Sequence, residues 1–200
     1  VPRIPVAKVN EDMYKAKILV LGPCQSGKTV ISNFLSDATE TSGGEYHPTQ
    51  GVRILEFEVN NLSVGGRNIS AEVELWDVSG DQKFESCWPA IARDSNGVVF
   101  VFNPDQPNHD KELESWHSNF VENQGLRSSQ CVVLAHRQSK SSGEEISNPG
   151  GPFQKIPIIQ TNLEEDGEGL REEFNNFLAG LLLALSDKRE QEELSIMNSR

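Results

Sequence analysis

Basic residues are scarce in this chain. Against 30 Asp and Glu stand only 18 Lys and Arg, which leaves a formal charge of −12 and a pI near 4.8. Neutralising nucleic-acid phosphates takes a basic surface, so this balance argues against a DNA or RNA partner and for a protein one. Cysteine is also sparse. Cys24, Cys87 and Cys131 are an odd number, widely spaced, with no CxxC and no nearby His pair, so no disulfide framework or zinc site is expected and a reducing cytoplasmic setting fits. Long apolar runs are missing: the longest, Leu181 to Leu185, falls far short of the ~18 residues that span a bilayer. Met13 reads as the natural start, with residues 1–12 an added leader, 13–186 the domain and 187–200 a tail. A start of Met-Tyr excludes myristoylation, and Ser195 to Arg200 holds no cysteine to prenylate, so no lipid anchor is expected.

What the chain does have is Gly22-Pro23-Cys24-Gln25-Ser26-Gly27-Lys28-Thr29, between the apolar run Ile18 to Leu21 and the helix-like run Val30 to Leu35. Strand, glycine-bounded loop and helix in that order make a phosphate-binding P-loop. Its two glycines let the backbone fold back so that the N–H groups around Cys24, Gln25, Ser26, Gly27 and Val30 face phosphate oxygens at the positive end of the helix dipole. Lys28 is then a point charge near the β- and γ-phosphates, and the Thr29 hydroxyl a ligand to Mg²⁺. Cys24 is expected to be a buried, inert thiol rather than a redox-sensitive one.

Apolar runs alternate with amphipathic ones, the pattern of an α/β domain with a mostly parallel sheet and crossover helices. Strands are predicted at 15–21, 52–59, 70–76, 97–102, 131–135 and 156–160. Val98 to Phe102 and Val132 to Leu134 are continuous and therefore central, while 52–59 and 70–76 read as an antiparallel hairpin at the sheet edge, joined across Asn60, Asn61, Gly65 and Gly66. Helices are predicted at 28–36, 84–93, 109–122 and 167–186. In the last, Leu170, Phe174, Phe177, Leu178, Leu181, Leu182 and Leu185 form a stripe expected to cover the sheet. Residues 136–153 are rich in Gly, Ser and Pro and read as a mobile loop.

A P-loop alone does not separate kinase, ATPase and GTPase, so the surrounding motifs matter. Trp76-Asp77-Val78-Ser79-Gly80 ends the third strand, where Asp77 can hold Mg²⁺ through a water and the Gly80 N–H can meet a γ-phosphate. Tyr46-His47-Pro48-Thr49-Gln50-Gly51 precedes the second strand. Its Thr49 can complete magnesium coordination and sense the third phosphate, with Tyr46 alongside the nucleotide.

GPCQSGKT, PTQG and WDVSGD, in that order on one α/β domain, resemble the Ras-like small GTPases, especially the Rab branch. PTQGVRILEFE (48–58), KFESCWPAI (83–91), Asn162 to Asp166 and EELSIM (192–197) narrow the resemblance to the Rab-like-five group. The resemblance covers about Met13 to Met197. It implies a Ras-like G domain of six strands with one antiparallel edge strand and helices on both faces. It further implies GTP or GDP with Mg²⁺, docking to coiled-coil subunits of the intraflagellar transport B complex, and a place in cytoplasm, cilium or flagellum and basal body.

The departures from Ras-like motifs carry equal weight. Where that superfamily has Asn-Lys-x-Asp to read guanine, this chain has His136-Arg137-Gln138-Ser139. Ser139 offers no carboxylate, and losing a charge-assisted hydrogen bond costs ~1.5–3 kcal/mol, so guanine preference should be weaker or differently built. Arg137 is expected to stack on the base. Thr161-Asn162-Leu163 replaces Ser-Ala-Lys, with Thr161 and the Asn162 N–H facing the base. Asp81 stands where active relatives carry the water-orienting Gln, so no catalytic residue is assigned and hydrolysis is expected to be slow. Two alternatives stay open: a working switch completed by an activating protein, and a nucleotide-free structural pseudo-GTPase.

Overall fold

The computed structural model describes residues 13–38, 47–137 and 148–198. The first apolar run forms β1 (Met13–Leu21), and the P-loop leads into α1 (Lys28–Leu35). β2 (Val52–Val64) and β3 (Arg67–Val78) pair antiparallel as a hairpin. The hairpin is longer than expected. Only Gly65 and Gly66, at φ +55° and +79°, make the turn, as a two-residue hairpin loop requires. Asn60 and Asn61 fall where the register shifts between Val59 and Leu62, a bulge rather than a loop.

After a 3₁₀ turn at Gln82–Cys87 come α2 (Trp88–Ala92), β4 (Gly97–Phe102) and α3 (His109–His117), the last running on as a π turn at Ser118–Glu122. The helix expected at 84–93 thus divides in two. Pro89 near its start has no N–H to donate, so the preceding residues close only the tighter i→i+3 bonds. β5 (Cys131–His136), a 3₁₀ turn at Gly151–Lys155, β6 (Ile158–Thr161) and α4 (Leu163–Asn198) complete the order.

The sheet runs β2-β3-β1-β4-β5-β6, parallel except for the β2 edge, as the hairpin reading anticipated. β4 and β5 are buried along their whole length. Each sheet face carries its own core. Val20, Leu75, Val99 and Leu134 meet α1 and α4, whose Leu170, Phe174, Leu178, Leu181 and Leu182 are buried. The other face sets Leu19, Phe100 and Val133 against Trp88, Leu113, Trp116 and Phe120. The leucine stripe therefore covers the sheet, but its helix does not stop at residue 186: the helical backbone continues to Asn198 through the segment read as a tail. Asp166 breaks helical geometry near its start (φ −148°, ψ 70°), and its Oδ1 accepts the Gly169 N–H at 2.8 Å, recapping the helix where 167 was the expected start.

Candidate functional site

The P-loop, Thr49 and the end of β3 meet at the carboxyl end of β1, where open α/β sheets bind ligands. A cleft of about 210 Å³ lies at the opposite end of that strand, lined by Lys15, Lys17, Glu72, Glu74, Asp94 and Asn96. Its charges are already engaged: Lys15 pairs with Glu72 at 2.8 Å and Lys17 donates to the Arg93 carbonyl at 2.7 Å. The chemistry belongs to the P-loop end.

The loop is held in a phosphate-cradling form by its glycines. Gly27 has φ +98° at the N-cap of α1, and a side chain on Gly80 would collide with the Pro23 and Cys24 backbone, so β3 ends directly against the loop. Gln25 also adopts a left-handed backbone, with φ +60°. Lys28 Nζ is buried and donates to the carbonyls of Gly22 (2.9 Å) and Pro23 (2.6 Å), and burial lowers its pKa to about 8. Ser26 Oγ is buried with no partner. Cys24 is exposed, contrary to the buried thiol expected, and so is Val30.

The three residues expected around a metal come together. Thr29 Oγ1 donates to Asp77 Oδ2 at 2.8 Å and lies 3.0 Å from Thr49 Oγ1, which is itself 3.5 Å from the same carboxylate oxygen. Asp77 is fully buried, and that burial pushes its carboxyl pKa up against the Thr29 bond and the nearby Lys28 and Arg53 charges. Its Oδ1 has no partner. Among the described residues no group of three or more His, Cys, Asp or Glu side chains is placed to hold a metal. One carboxylate with two hydroxyls is instead the donor set Mg²⁺ uses when substrate phosphates and water supply the rest. The fit is physical: a phosphate would give the buried Lys28 ammonium a counter-charge, and a divalent cation would add to the positive charge balancing the buried Asp77, whose Oδ1 has no partner.

The base side is built differently from the expectation. His136, buried and held below the usual histidine pKa by desolvation, lies 3.2 Å through Nδ1 from Thr161 Oγ1. Its ring packs under the P-loop, 2.5 Å from where a Gly27 Cβ would sit. Arg137 is buried, with Nε donating to Asp105 Oδ1 at 3.2 Å and its N–H to the Thr161 carbonyl at 3.0 Å. That pairing draws the guanidinium toward Asp105 rather than leaving it for stacking alone. Asn162 Oδ1 accepts the Glu164 N–H at 3.0 Å, and Leu163 opens α4 against the core. Tyr46 and Ser139 lie outside the described residues. Asp81 serves as a cap: its Oδ1 accepts the Lys83 N–H at 3.0 Å and its Oδ2 pairs with Lys83 Nζ at 2.8 Å. Arg53, which the motif reading passed over, reaches Asp77 from β2. The only signal for it was a charge at an inward-facing position of an edge strand.

Known proteins resemble this chain along most of its length. Residues 17–139 match the family model of Roc, the Ras of Complex domain of DAPkinase. The intraflagellar transport protein 22 homolog of Danio rerio is 52% identical over 187 residues, covering 92% of this chain and all of that protein. The Homo sapiens homolog is 47% identical with the same coverage, and intraflagellar transport associated protein 2 of Caenorhabditis elegans is 34% identical, covering 87% of this chain and 82% of that one. Among solved structures, T. brucei IFT22/74/81 in its GTP-bound form matches with TM-score 0.72 and 32% identity, over 87% of this chain and 98% of that one. GDP-bound T. brucei IFT22 matches with TM-score 0.61 and 29% identity, over 84% and 96%. With its P-loop, its Thr29–Thr49–Asp77 cluster and its six-stranded sheet, this chain belongs to the intraflagellar transport protein 22 family of Ras-like small GTPases.

Proposed function

We propose that this protein binds GTP or GDP with Mg²⁺ and serves as a small GTPase-like subunit of the intraflagellar transport B complex, docking to coiled-coil subunits in cilia. The observation that carries this reading is the convergence of Thr29 and Thr49 on the buried Asp77, beside the buried Lys28 ammonium. Lys28, Thr29, the P-loop amides and Gly80 would hold the phosphates, Thr29, Thr49 and Asp77 the metal, and His136, Arg137, Thr161 and Asn162 the base side. The metal, when bound, neutralises phosphate charge. With Asp81 tied to Lys83, the position that carries the water-orienting Gln in active relatives is already engaged, which favours a nucleotide-stabilised scaffold over a working switch.

Thermal unfolding of nucleotide-stripped protein tests the reading. At 100 times its Kd a nucleotide adds about 2.7 kcal/mol, and at 2–4 °C per kcal/mol for a chain of this size GTP-Mg²⁺ and GDP-Mg²⁺ should each raise Tm by about 5–10 °C. ATP-Mg²⁺ should raise it less. A melt indifferent to all three would leave the nucleotide-free pseudo-GTPase as the better description.

A further inference from the structure

Asp77 answers to a second cation besides Lys28. In the β2–β3 ladder Arg53 stands directly opposite Asp77, and its Nη2 lies 3.5 Å from Asp77 Oδ2. The same Nη2 donates to Asn33 Oδ1 on α1, so the guanidinium bridges helix, edge strand and metal-site carboxylate. Arg53 Nε is buried without a partner, although the side chain as a whole is 38% exposed. A guanidinium stays protonated at any pH the fold survives, so this charge is permanent. A fully buried carboxylate is costly without a counter-charge, and Arg53 supplies one whether or not metal is present.

We propose that Arg53 is the resident counter-ion of the magnesium site: it balances Asp77 when no metal is bound and competes with Mg²⁺ for the same carboxylate, thereby setting how much free Mg²⁺ the protein needs to retain nucleotide. This rests on the magnesium-nucleotide reading above. Two cations drawn to one carboxylate repel each other, so Arg53 weakens metal binding while it strengthens the metal-free fold. Partial solvent exposure of the side chain keeps the effect moderate.

The test compares wild type with Arg53→Gln and Arg53→Lys in two measurements. One is the free Mg²⁺ concentration that half-maximally slows release of a fluorescent GDP analogue. The other is Tm of the nucleotide-free, metal-free protein. Arg53→Gln should lower the Mg²⁺ requirement by about threefold and lower the metal-free Tm, whereas Arg53→Lys, which keeps the charge, should stay near wild type. Should Arg53→Gln not fold, Asn33→Ala, which unpins the guanidinium, should shift the Mg²⁺ requirement in the same direction. A folded Arg53→Gln with an unchanged or raised Mg²⁺ requirement overturns the counter-ion role. A wild type that releases nucleotide at a rate independent of Mg²⁺ overturns the magnesium reading itself.

Discussion

Lys28 pays for its position until a phosphate arrives. It is 6% exposed, anchored on two carbonyls, and burial lowers its pKa from 10.5 to about 8. A lysine whose folded pKa is depressed binds fewer protons folded than unfolded between about pH 8 and 10.5, so stability rises with pH across that window. Between pH 7 and 10.5 nucleotide-free wild type should therefore gain on Lys28→Met by at most about 3 kcal/mol, read from urea midpoints. A gap between the two that stays constant with pH would contradict the burial penalty. At this scale the P-loop was legible, because the spacing of Gly22, Gly27, Lys28 and Thr29 is itself the chemistry. Arg53 was not legible, since only the register of two strands tells which carboxylate it faces.

Among the elements, the 3₁₀ turn after β3 shows how one residue serves two ends. Asp81 caps it through the Lys83 N–H, a role glutamine fills poorly. Asp81→Gln should thus speed single-turnover phosphate release while lowering stability by about 1 kcal/mol, and Gln82→Ala should change the rate little. Faster hydrolysis in wild type than the roughly 3–5 × 10⁻⁴ s⁻¹ of unassisted Ras would show that another group orients the water. The sequence located the strands and the sheet-covering helix well because burial on both sides leaves continuous apolar runs, as in β4 and β5. It missed the length of the hairpin, where Asn60 and Asn61 read as turn residues but sit in a bulge, and the division of the helix at Pro89. In both cases local turn chemistry was overridden by pairing or by a missing N–H.

For the molecule as a whole, charge governs encounter more than fold. A formal −12 on 200 residues sets up a long-range field, and a partner with a basic face would be steered by it. Association with the partner subunits proposed above should slow by about tenfold or more from low to high ionic strength if they present a basic face, while dissociation changes less. A salt-independent association rate, measured by stopped flow, would place the contact on an uncharged surface instead. The strand order and the placing of the site at the carboxyl end of β1 follow from the alternation of elements and the P-loop, so this scale was the most legible. The reach of α4 to Asn198 was not, because the polar residues beyond Leu185 show no core-facing stripe.

One bond described by neither motif ties these scales together. The Ser79 N–H donates to the Gly51 carbonyl at 2.8 Å, one step beyond the Val52–Val78 pair that ends the β2–β3 ladder. Thr49 lies two residues before that bond and Gly80 one residue after it, so the two segments expected at the third phosphate leave the same end of one ladder. Neither segment can move far without straining or breaking that bond.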